Sequence, residues 1–510
     1  MHFLTKLLKK IFNRTTVCVI GILLQLTYLV VIFLSFGTQY TYSYFAFVLL
    51  GVILSLYIYN MDINPSYKMA WMFAILSFPI FGVMFYVFFG NSHSGDRLRK
   101  RMTQYNDEAR LLLPQNNELM SALHRDNTAA EKQAKYLYNY GGYPVYANTK
   151  TTYFPIGEAK FAAMIEELEK AQRFIFLEYF IVAEGKMWGT ILDILERKVK
   201  EGVDVRMIYD DIGCLFTLPY KYNEILEEKG IKCRVFNQFR PIWSAKMNNR
   251  DHRKIFVVDG YIGFTGGINL ADEYINAERR FGYWKDAAIR LEGAAVWNFT
   301  VMFLNSWNAF RPQETDYAPF APTKLPETSD GIVQPYSDSP LDEEPLAETV
   351  YLNILNQAQQ YIYIYTPYLA VGEEMLDALK NAAKRGVDVR LVLPGIPDKK
   401  LVFRLSRSYY VPLLRAGVRI YEFAPGFLHS KCYVSDDHLA VVGSINMDYR
   451  SLFLHFECGA LLYNNSQVIA LRDDVLATLP RCREVSLSDC RTSLVGTLLD
   501  SVLRLLSPLM

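Results

Sequence analysis

Two stretches of the chain carry the same polar residues at the same spacing. In each, a histidine is followed two positions later by a lysine and, after four more residues, by an aspartate. Six residues separate that aspartate from a pair of small residues, and an asparagine follows the pair after one residue. The first copy is His252, Lys254, Asp259, Gly266, Gly267 and Asn269, and the second is His429, Lys431, Asp436, Gly443, Ser444 and Asn446. Two matched copies of so long a pattern predict a shared chemical task.

The residue types suit chemistry on a phosphodiester. Histidine and lysine two positions apart on a strand point to one face, so each copy presents an imidazole and an ammonium together. One imidazole can attack phosphorus while the other protonates the departing alkoxide. The lysines and the amides of Asn269 and Asn446 can stabilise the negative charge that grows on the phosphate. Small residues such as Gly267 and Ser444 let the backbone approach a ligand closely.

Acidic residues follow the two copies at matching positions, Asp286 and Glu457. We predict that each orients the histidine of its own copy, because a neighbouring carboxylate sets the charge and tautomer of an imidazole. The aspartates inside the motifs, Asp259 and Asp436, have two interpretations. They are placed with the catalytic residues, and the alternative is that they support the fold.

The two motifs lie in a duplicated α/β pattern. KAQRFIFLEYF (170–180) resembles QAQQYIYIYTP (357–367), GVDVR occurs at 202–206 and again at 386–390, and KGIKCRVF (229–236) resembles AGVRIYEF (416–423). The matches follow the same order in both halves, which favours duplication over chance. We predict a first lobe over 146–310 and a second over 346–510, joined by a proline-rich linker over 311–345.

An apolar region precedes the lobes. Three apolar stretches, at about 17–36, 43–59 and 70–89, each approach the length of a membrane-crossing helix, so residues 1–92 are predicted to be an α-helical membrane anchor. A polar connecting region follows over 93–145. Basic residues flank the anchor at 6–14 and 97–101, which places both ends and the lobes on the cytoplasmic side if the number of crossings is even. The third stretch, with Pro79 and Gly82 near its middle, is expected to fold back.

Composition excludes several other classes. The net charge of the 510 residues is +1, which argues against a nucleic-acid partner. The seven cysteines form no CxxC pair, so neither a disulfide framework nor a zinc site is expected. No cluster of metal ligands accompanies the motifs, and no cofactor is predicted.

HRKIFVVDGYIGFTGGIN (252–269) and HSKCYVSDDHLAVVGSIN (429–446) resemble the paired HKD motifs of the phospholipase D superfamily. NPSYKMAWMFAILSFPIFGVMFYVFFG (64–90), YDDIG (209–213), RPIWS (240–244) and NMDYRS (446–451) resemble segments of bacterial cardiolipin synthases. The likeness extends over almost the whole chain. It implies a two-lobed phospholipase D-like fold behind a membrane-anchoring segment. It also implies that only the second motif, through Ser444, adds a hydroxyl contact to the phosphate.

The same resemblance implies that two phosphatidylglycerol molecules give cardiolipin and glycerol through a phosphohistidine on His252, with His429 as general acid. The implied partners are phosphatidylglycerol, other anionic phospholipids and the bilayer, and the oligomeric state stays open. Three alternatives remain: a membrane phospholipase D that releases phosphatidic acid, a membrane-tethered nuclease, and an inactive scaffold that binds anionic lipid.

Overall fold

The computed structural model describes residues 41–90, 96–238, 248–310, 316–326, 328–342 and 344–509, with a few isolated positions before residue 41. Most of the first apolar stretch, the basic residues at 6–14 and the whole RPIWS segment lie outside the described residues. The predictions made for them are therefore not addressed by the structure.

Three helices open the described chain, α1 (Thr41–Asn60), α2 (Pro65–Ser77) and α3 (Pro79–Phe89). The Asn64 side chain caps α2 by accepting a hydrogen bond from the Ser66 backbone N–H. Helix α2 ends before Pro79, which cannot donate a backbone hydrogen bond within a helix. The third apolar stretch is thus two short helices. Within the described residues, no helix is both long and apolar enough to cross a membrane.

A sharp turn brings α3 back against α2. A Cβ atom added to Gly82 would lie 2.4 Å from the Ala74 carbonyl oxygen and 2.6 Å from the Ile75 Cα. Only a residue without a side chain permits this approach. The chain therefore reverses at Pro79, where the sequence suggested a fold-back, and a small core that includes Trp71 and Ile75 forms among the three helices.

The first lobe is a seven-stranded mixed sheet, and its strands follow the spatial order β1-β9-β7-β6-β2-β3-β4. The parallel pairs are β2–β3 and β3–β4. The strands of this lobe are β1 (Thr149–Phe154), β2 (Phe174–Tyr179), β3 (Asp204–Asp210), β4 (Lys232–Phe236), β5 (Arg250–Asp251), β6 (Ile255–Val258), β7 (Ile262–Gly266), β8 (Tyr283–Lys285) and β9 (Ala288–Gly293). Strands β5 and β8 do not belong to the seven-stranded sheet. Helices α4 (Asp96–Arg110), α5 (Asn117–Asp126) and α6 (Thr128–Gly141) precede this lobe, and α7 (Gly157–Lys170), α8 (Lys186–Lys200), α9 (Tyr222–Glu228) and α10 (Val296–Phe310) belong to it.

The second lobe repeats this order as β10-β19-β17-β16-β11-β13-β14, with β20 added at the edge. Its strands are β10 (Ile332–Asp338), β11 (Tyr361–Tyr365), β12 (Leu369–Ala370), β13 (Asp388–Pro394), β14 (Arg419–Phe423), β15 (Gly426–Leu428), β16 (Cys432–Ser435), β17 (Leu439–Gly443), β18 (Met447–Asp448), β19 (His455–Tyr463) and β20 (Cys482–Glu484). Its helices are α11 (Leu346–Gln357), α12 (Glu373–Lys384), α13 (Lys400–Ser408), α14 (Tyr410–Ala416), α15 (Tyr449–Phe453), α16 (Ser466–Thr478) and the C-terminal α17 (Leu494–Leu506). The α/β class and the internal duplication are confirmed.

Two predicted boundaries differ from the structure. Strand β10, assigned to the linker, pairs with β19 over its whole length, so the second sheet begins at Ile332 rather than at residue 346. The connecting region is also packed rather than free: Gln334 of β10 donates from its amide to the Ala134 carbonyl of α6. Proline content suggested a linker here, yet Pro335 fits on the edge strand of a sheet.

Short strands tie the lobes to each other. Strand β5 pairs in parallel with the start of β19, and β15 pairs in parallel with β8. The first pair places the residues just before His252 beside those just before Glu457. The second pair places the residues just before His429 beside those just before Asp286. These two cross-lobe pairs set the geometry of the site.

Candidate active site

Each motif histidine comes directly after one of the short strands that form the cross-lobe pairs. The backbone N–H of His252, after β5, donates to the Phe456 carbonyl at 2.9 Å. The backbone N–H of His429, after β15, donates to the Lys285 carbonyl at 2.7 Å. Both histidines are buried at the seam between the lobes. The two motifs are close enough that Lys431 and His429 both lower the pKa of His252, although burial is the larger cause.

The acidic residues act across the seam, so the prediction that each orients the histidine of its own lobe is wrong. His252 Nδ1 lies 2.8 Å from a Glu457 carboxylate oxygen. His429 Nδ1 lies 2.7 Å from Asp286 Oδ2. The physical reason is strand pairing: β5 runs beside the strand that carries Glu457, and β15 runs beside the strand that precedes Asp286. Each Nδ1 is held in this way, which leaves each Nε2 available for a substrate.

The two histidine–carboxyl pairs differ in charge. Burial lowers the pKa of His252 well below its ordinary value, and burial lowers that of His429 to about 4. Burial raises the pKa of Glu457 to about 8. The pKa of Asp286 is lowered even though burial opposes this, because His429 and Lys431 favour its charged form. At neutral pH, His429 therefore faces an ionised carboxylate. Glu457 carries less negative charge, so it stabilises a protonated His252 less.

The lysines supply positive charge in a dry site. Lys254 and Lys431 are buried, and each Nζ donates to the backbone carbonyl of the histidine two positions before it. Burial lowers the pKa of Lys254 to about 8 and that of Lys431 to about 7. An anionic ligand beside them would favour the charged forms.

The asparagines differ between the lobes. The Asn269 Oδ1 accepts from the Ile181 N–H at 3.1 Å, and its Nδ2 donates to the Tyr274 hydroxyl at 2.7 Å. The Asn446 Oδ1 has no hydrogen-bond partner within the described part of the chain. Asn269 thus supports the loop after β2, and Asn446 retains polar capacity for a ligand.

Ser444 and Gly267 contact the carboxyl groups rather than an open ligand position. The Ser444 hydroxyl donates to Glu457, and its oxygen accepts from the Cys458 N–H at 3.0 Å. A Cβ at Gly267 would lie 2.1 Å from Asp286 Oδ1, so the close approach of this carboxylate requires glycine there. The expected serine hydroxyl contact with phosphate is replaced by a contact that fixes Glu457.

The motif aspartates lie away from the histidines, which corrects their placement among the catalytic residues. The Asp259 carboxylate accepts hydrogen bonds from the backbone N–H groups of Gln172, Arg173 and Phe174, at 2.7–3.0 Å. The Asp436 carboxylate accepts from those of Gln359, Gln360 and Tyr361, at 2.8–2.9 Å. Both residues adopt a left-handed turn, with φ of 54° and 52°. They fasten the hairpin after each motif to the start of the neighbouring strand.

The sequence reasoning missed a third histidine at the site. The ring of His455 lies 5.7 Å from the ring of His252, and its Nδ1 lies 4.0 Å from Glu457 Oε1. The equivalent position in the first lobe, two residues before Asp286, is Trp284, whose ring lies 5.3 Å from that of His429. The available signal was period-two alternation, since residues 455 and 457 share one face of a strand.

His252, His455 and Glu457 also bring potential metal-ligand atoms within 4.8 Å of one another. The fit to a divalent cation is poor. His252 and Glu457 already share a hydrogen bond, and the charge of Lys254 acts on all three residues. A further cation here would be repelled.

The family model described as "Cardiolipin synthase, PLD-like domain" matches the chain twice, over residues 164–281 and 351–476. A model described as "Phospholipase_D-nuclease N-terminal" matches residues 46–91. A cardiolipin synthase of Geobacillus thermodenitrificans is 36% identical over 88% of this chain and 89% of its own length. The chain belongs to the cardiolipin synthase family of the phospholipase D superfamily.

Other relatives agree in coverage. An uncharacterized protein of Streptococcus mutans is 46% identical over 89% of this chain and 99% of its own length. Cardiolipin synthase 2 of Bacillus anthracis is 35% identical over 88% of this chain and 87% of its own length. The phosphatidylserine synthase structure of Haemophilus influenzae shares the fold, with a TM-score of 0.55 and 16% identity over 74% of this chain and 98% of that one. The protein is therefore a phospholipid phosphatidyltransferase, an enzyme that moves phosphate-containing groups.

Proposed function

We propose that this enzyme makes cardiolipin and glycerol from two phosphatidylglycerol molecules through a phosphohistidine. The observation that carries the proposal is the pair of imidazoles, each held at Nδ1 by a carboxyl group of the other lobe and flanked by a buried lysine. This arrangement offers two free Nε2 atoms and two ammonium groups to one phosphodiester.

In the first step, His252 Nε2 attacks phosphorus and the bond to the glycerol headgroup breaks. The glycerol oxygen takes a proton from His429 and leaves. We assign attack to His252 because His429, not His252, is hydrogen-bonded to the ionised Asp286, so His429 is the better site for the proton and His252 for the neutral nucleophile. The ionised Asp286 beside His429 stabilises an imidazolium there, and the negative phosphate of the substrate favours it further.

In the second step, a hydroxyl of another phosphatidylglycerol attacks phosphorus, the P–N bond to His252 breaks, and His429 takes the hydroxyl proton. One phosphodiester replaces another, so no nucleotide is consumed and excess glycerol should reverse the reaction. Aromatic rings exclude water around the imidazoles: the Phe180 ring lies 5.0 Å from that of His252, and the Tyr274 ring 5.5 Å from that of His429. Dry surroundings favour transfer to a lipid hydroxyl over hydrolysis.

We also propose that the enzyme works on a membrane surface, with the lobes on the cytoplasmic side. Helix α17 exposes a row of large apolar side chains, and α2 exposes another. These are Leu494, Val495, Leu498, Leu499 and Val502 on α17, and Met69, Phe73 and Leu76 on α2. The two helices are in contact, so their apolar residues can enter a lipid interface together.

The deciding experiment uses phosphatidylglycerol labelled in its headgroup and acyl chains, in detergent micelles, with cardiolipin, phosphatidic acid and glycerol all measured. We expect equal amounts of cardiolipin and glycerol, and reconversion of cardiolipin to phosphatidylglycerol when glycerol is added in excess. Phosphatidic acid as the main product would show a hydrolase instead. Trapping of the phosphatidyl-enzyme and mapping of the adduct tests the assignment, which an adduct on His429 would reverse.

A further inference from the structure

His455 is a buried imidazole with nothing to bond. Its side chain is only 10% exposed, and neither ring nitrogen has a hydrogen-bond partner among the described residues. Buried polar groups are normally paired, because an unpaired one loses its hydrogen bonds to water without replacing them. His455 faces the catalytic centre, since its ring lies 5.7 Å from His252 and 6.4 Å from Phe180. Its unpaired nitrogens therefore lie beside the catalytic centre.

Two cations lie near this imidazole and extend the site outward. Arg450 on α15 and Lys399 just before α13 are both exposed, and both act electrostatically on His455. Neither forms an ion pair within the described residues. Both cations also act on Asp448, which is half-buried and caps α15 by accepting from the Ser451 N–H. The outer cations are thus left available to an anion.

The other half of the centre lacks these features. Trp284 replaces the imidazole, and the His429 ring is enclosed by Trp284, Phe427 and Tyr274 at centroid distances of 5.3–5.8 Å. The catalytic imidazoles are related by the duplication, but their surroundings are polar and cationic on one side and aromatic on the other. The reacting phosphate contacts the histidines and lysines that both lobes provide. The polar groups found on the His252 side only are therefore available to a different ligand.

We infer that His455, Arg450 and Lys399 form a second phosphate subsite, which holds the phosphodiester of the acceptor lipid while its hydroxyl reacts. The inference rests on the proposed function, because only an acceptor that is itself a phospholipid brings a second phosphate. The glycerol between the two phosphates of the product places the acceptor phosphate beside the reacting one, at the mouth of the site. His455 would donate one N–H to it, and the two cations would balance its charge.

The position of the subsite suits a lipid. Helix α15, which carries Arg450, packs against the N-terminal helices: the ring of Tyr67 on α2 lies 6.0 Å from those of Tyr449 and Phe453. Helix α13, which follows Lys399, is tied to α17 by the ion pair of Arg404 with Asp500 at 2.6 Å. Both cations therefore lie next to the helices with exposed apolar faces.

The test compares two water-soluble acceptors, of which only the second carries a phosphodiester: glycerol, and deacylated phosphatidylglycerol, which is glycerol joined to a glycerophosphoryl group. Phosphatidylglycerol in neutral detergent micelles is the donor, and the glycerol is isotopically labelled, because its transfer regenerates phosphatidylglycerol and is seen only as incorporation of the label. We expect the unmodified enzyme to prefer the phosphate-bearing acceptor by about tenfold or more in kcat/KM, as charge-assisted hydrogen bonds allow. His455→Asn, and Arg450→Gln combined with Lys399→Gln, should remove most of this preference by lowering transfer to the phosphate-bearing acceptor far more than transfer to glycerol. Lys400→Gln, which removes the neighbouring exposed lysine, should keep it.

Equal loss of transfer to both acceptors would overturn the subsite and make these residues positioning groups for His252. An unchanged preference in all variants would overturn it as well. Loss of micelle binding in the Arg450 and Lys399 variant, matched to the loss of transfer, would identify general attraction to anionic lipid instead. If the unmodified enzyme transfers the phosphatidyl group to neither acceptor and releases phosphatidic acid, the proposed function itself has failed.

Discussion

At the scale of residues, the site separates chemistry from support. The imidazoles and ammonium groups of the two motifs converge, whereas Asp259 and Asp436 bind only backbone N–H groups of the neighbouring strand. The motif is thus one sequence pattern with two physical tasks. Its histidine and lysine build the reacting centre, and its aspartate fixes the turn between the two strands that follow.

Asp436→Asn is expected to lower stability and to leave the chemical step largely intact. The amide NH₂ group would face backbone N–H donors, so at least one of the three hydrogen bonds is lost, at about 1–3 kcal/mol. Urea unfolding measures the stability, and cardiolipin formation per folded molecule measures the chemistry. His429→Ala is the matched opposite, because it should retain stability and remove nearly all turnover. Loss of turnover in Asp436→Asn with unchanged unfolding would contradict this division.

Activity is expected to fall as pH rises through the pKa values of the lysines. Those values are about 7 for Lys431 and about 8 for Lys254, lowered by burial, so each lysine is charged below its pKa and neutral above it. Neutral lysines no longer stabilise the charge on phosphate, so kcat/KM should decline on the alkaline side. Lys431→Arg keeps the charge at all pH values and should move this decline to higher pH, even at lower maximal rate. An identical alkaline limb in both enzymes would argue against the lysine.

At the scale of elements, strand pairing explains what the sequence could and could not predict. The duplicated strands and both motifs were predicted because each is a pattern of neighbouring residues that occurs once in each half of the sequence. The exchange of Asp286 and Glu457 was not, because it arises where β5 meets β19 and β15 meets β8. Such pairing brings together residues that are 205 and 143 positions apart, and no local pattern encodes it. His455 was not predicted for a related reason: it occurs in one lobe only, so no matching residue in the other half of the sequence indicated it.

The α2–α3 hairpin gives a prediction at this scale. Gly82→Ala would place a methyl group 2.4 Å from the Ala74 carbonyl oxygen, so the hairpin must open. We expect a lower Tm in detergent micelles and weaker retention on lipid vesicles. Gly189→Ala is the control, since no atom lies within 4 Å of its added Cβ and alanine favours a helix interior. Equal effects of the two substitutions would show that the tight contact at Gly82 is unimportant.

At the scale of the whole molecule, the near-zero net charge conceals local concentrations of charge. The chain carries +1 overall, yet Lys254 and Lys431 are buried at the centre, and Lys399 and Arg450 lie at its mouth. The apolar faces of α2 and α17 lie on helices that touch each other. Charge and apolar surface together fit an enzyme whose substrates are anionic lipids.

Cardiolipin formation is expected to continue in excess EDTA. The lysines already provide the positive charge that a divalent ion would otherwise supply to the phosphate. Initial rates with and without chelator, in neutral detergent micelles, measure this directly. Complete loss of activity that returns when a divalent ion is restored would contradict it.

The exchange of carboxyl groups between the lobes bears on how the two-lobed chain evolved. When residue i of one half contacts residue j of the other, and j of the first contacts i of the second, the arrangement is that of an interface between two identical subunits related by a twofold axis. Two separate copies of an ancestral single-lobe chain could have formed the same centre. In such a pair every substitution appears twice. Once the copies were joined in one chain, each could change alone, and histidine could arise beside Glu457 while tryptophan stood beside Asp286. Fusion thus allows the two halves of a symmetric centre to differ from each other.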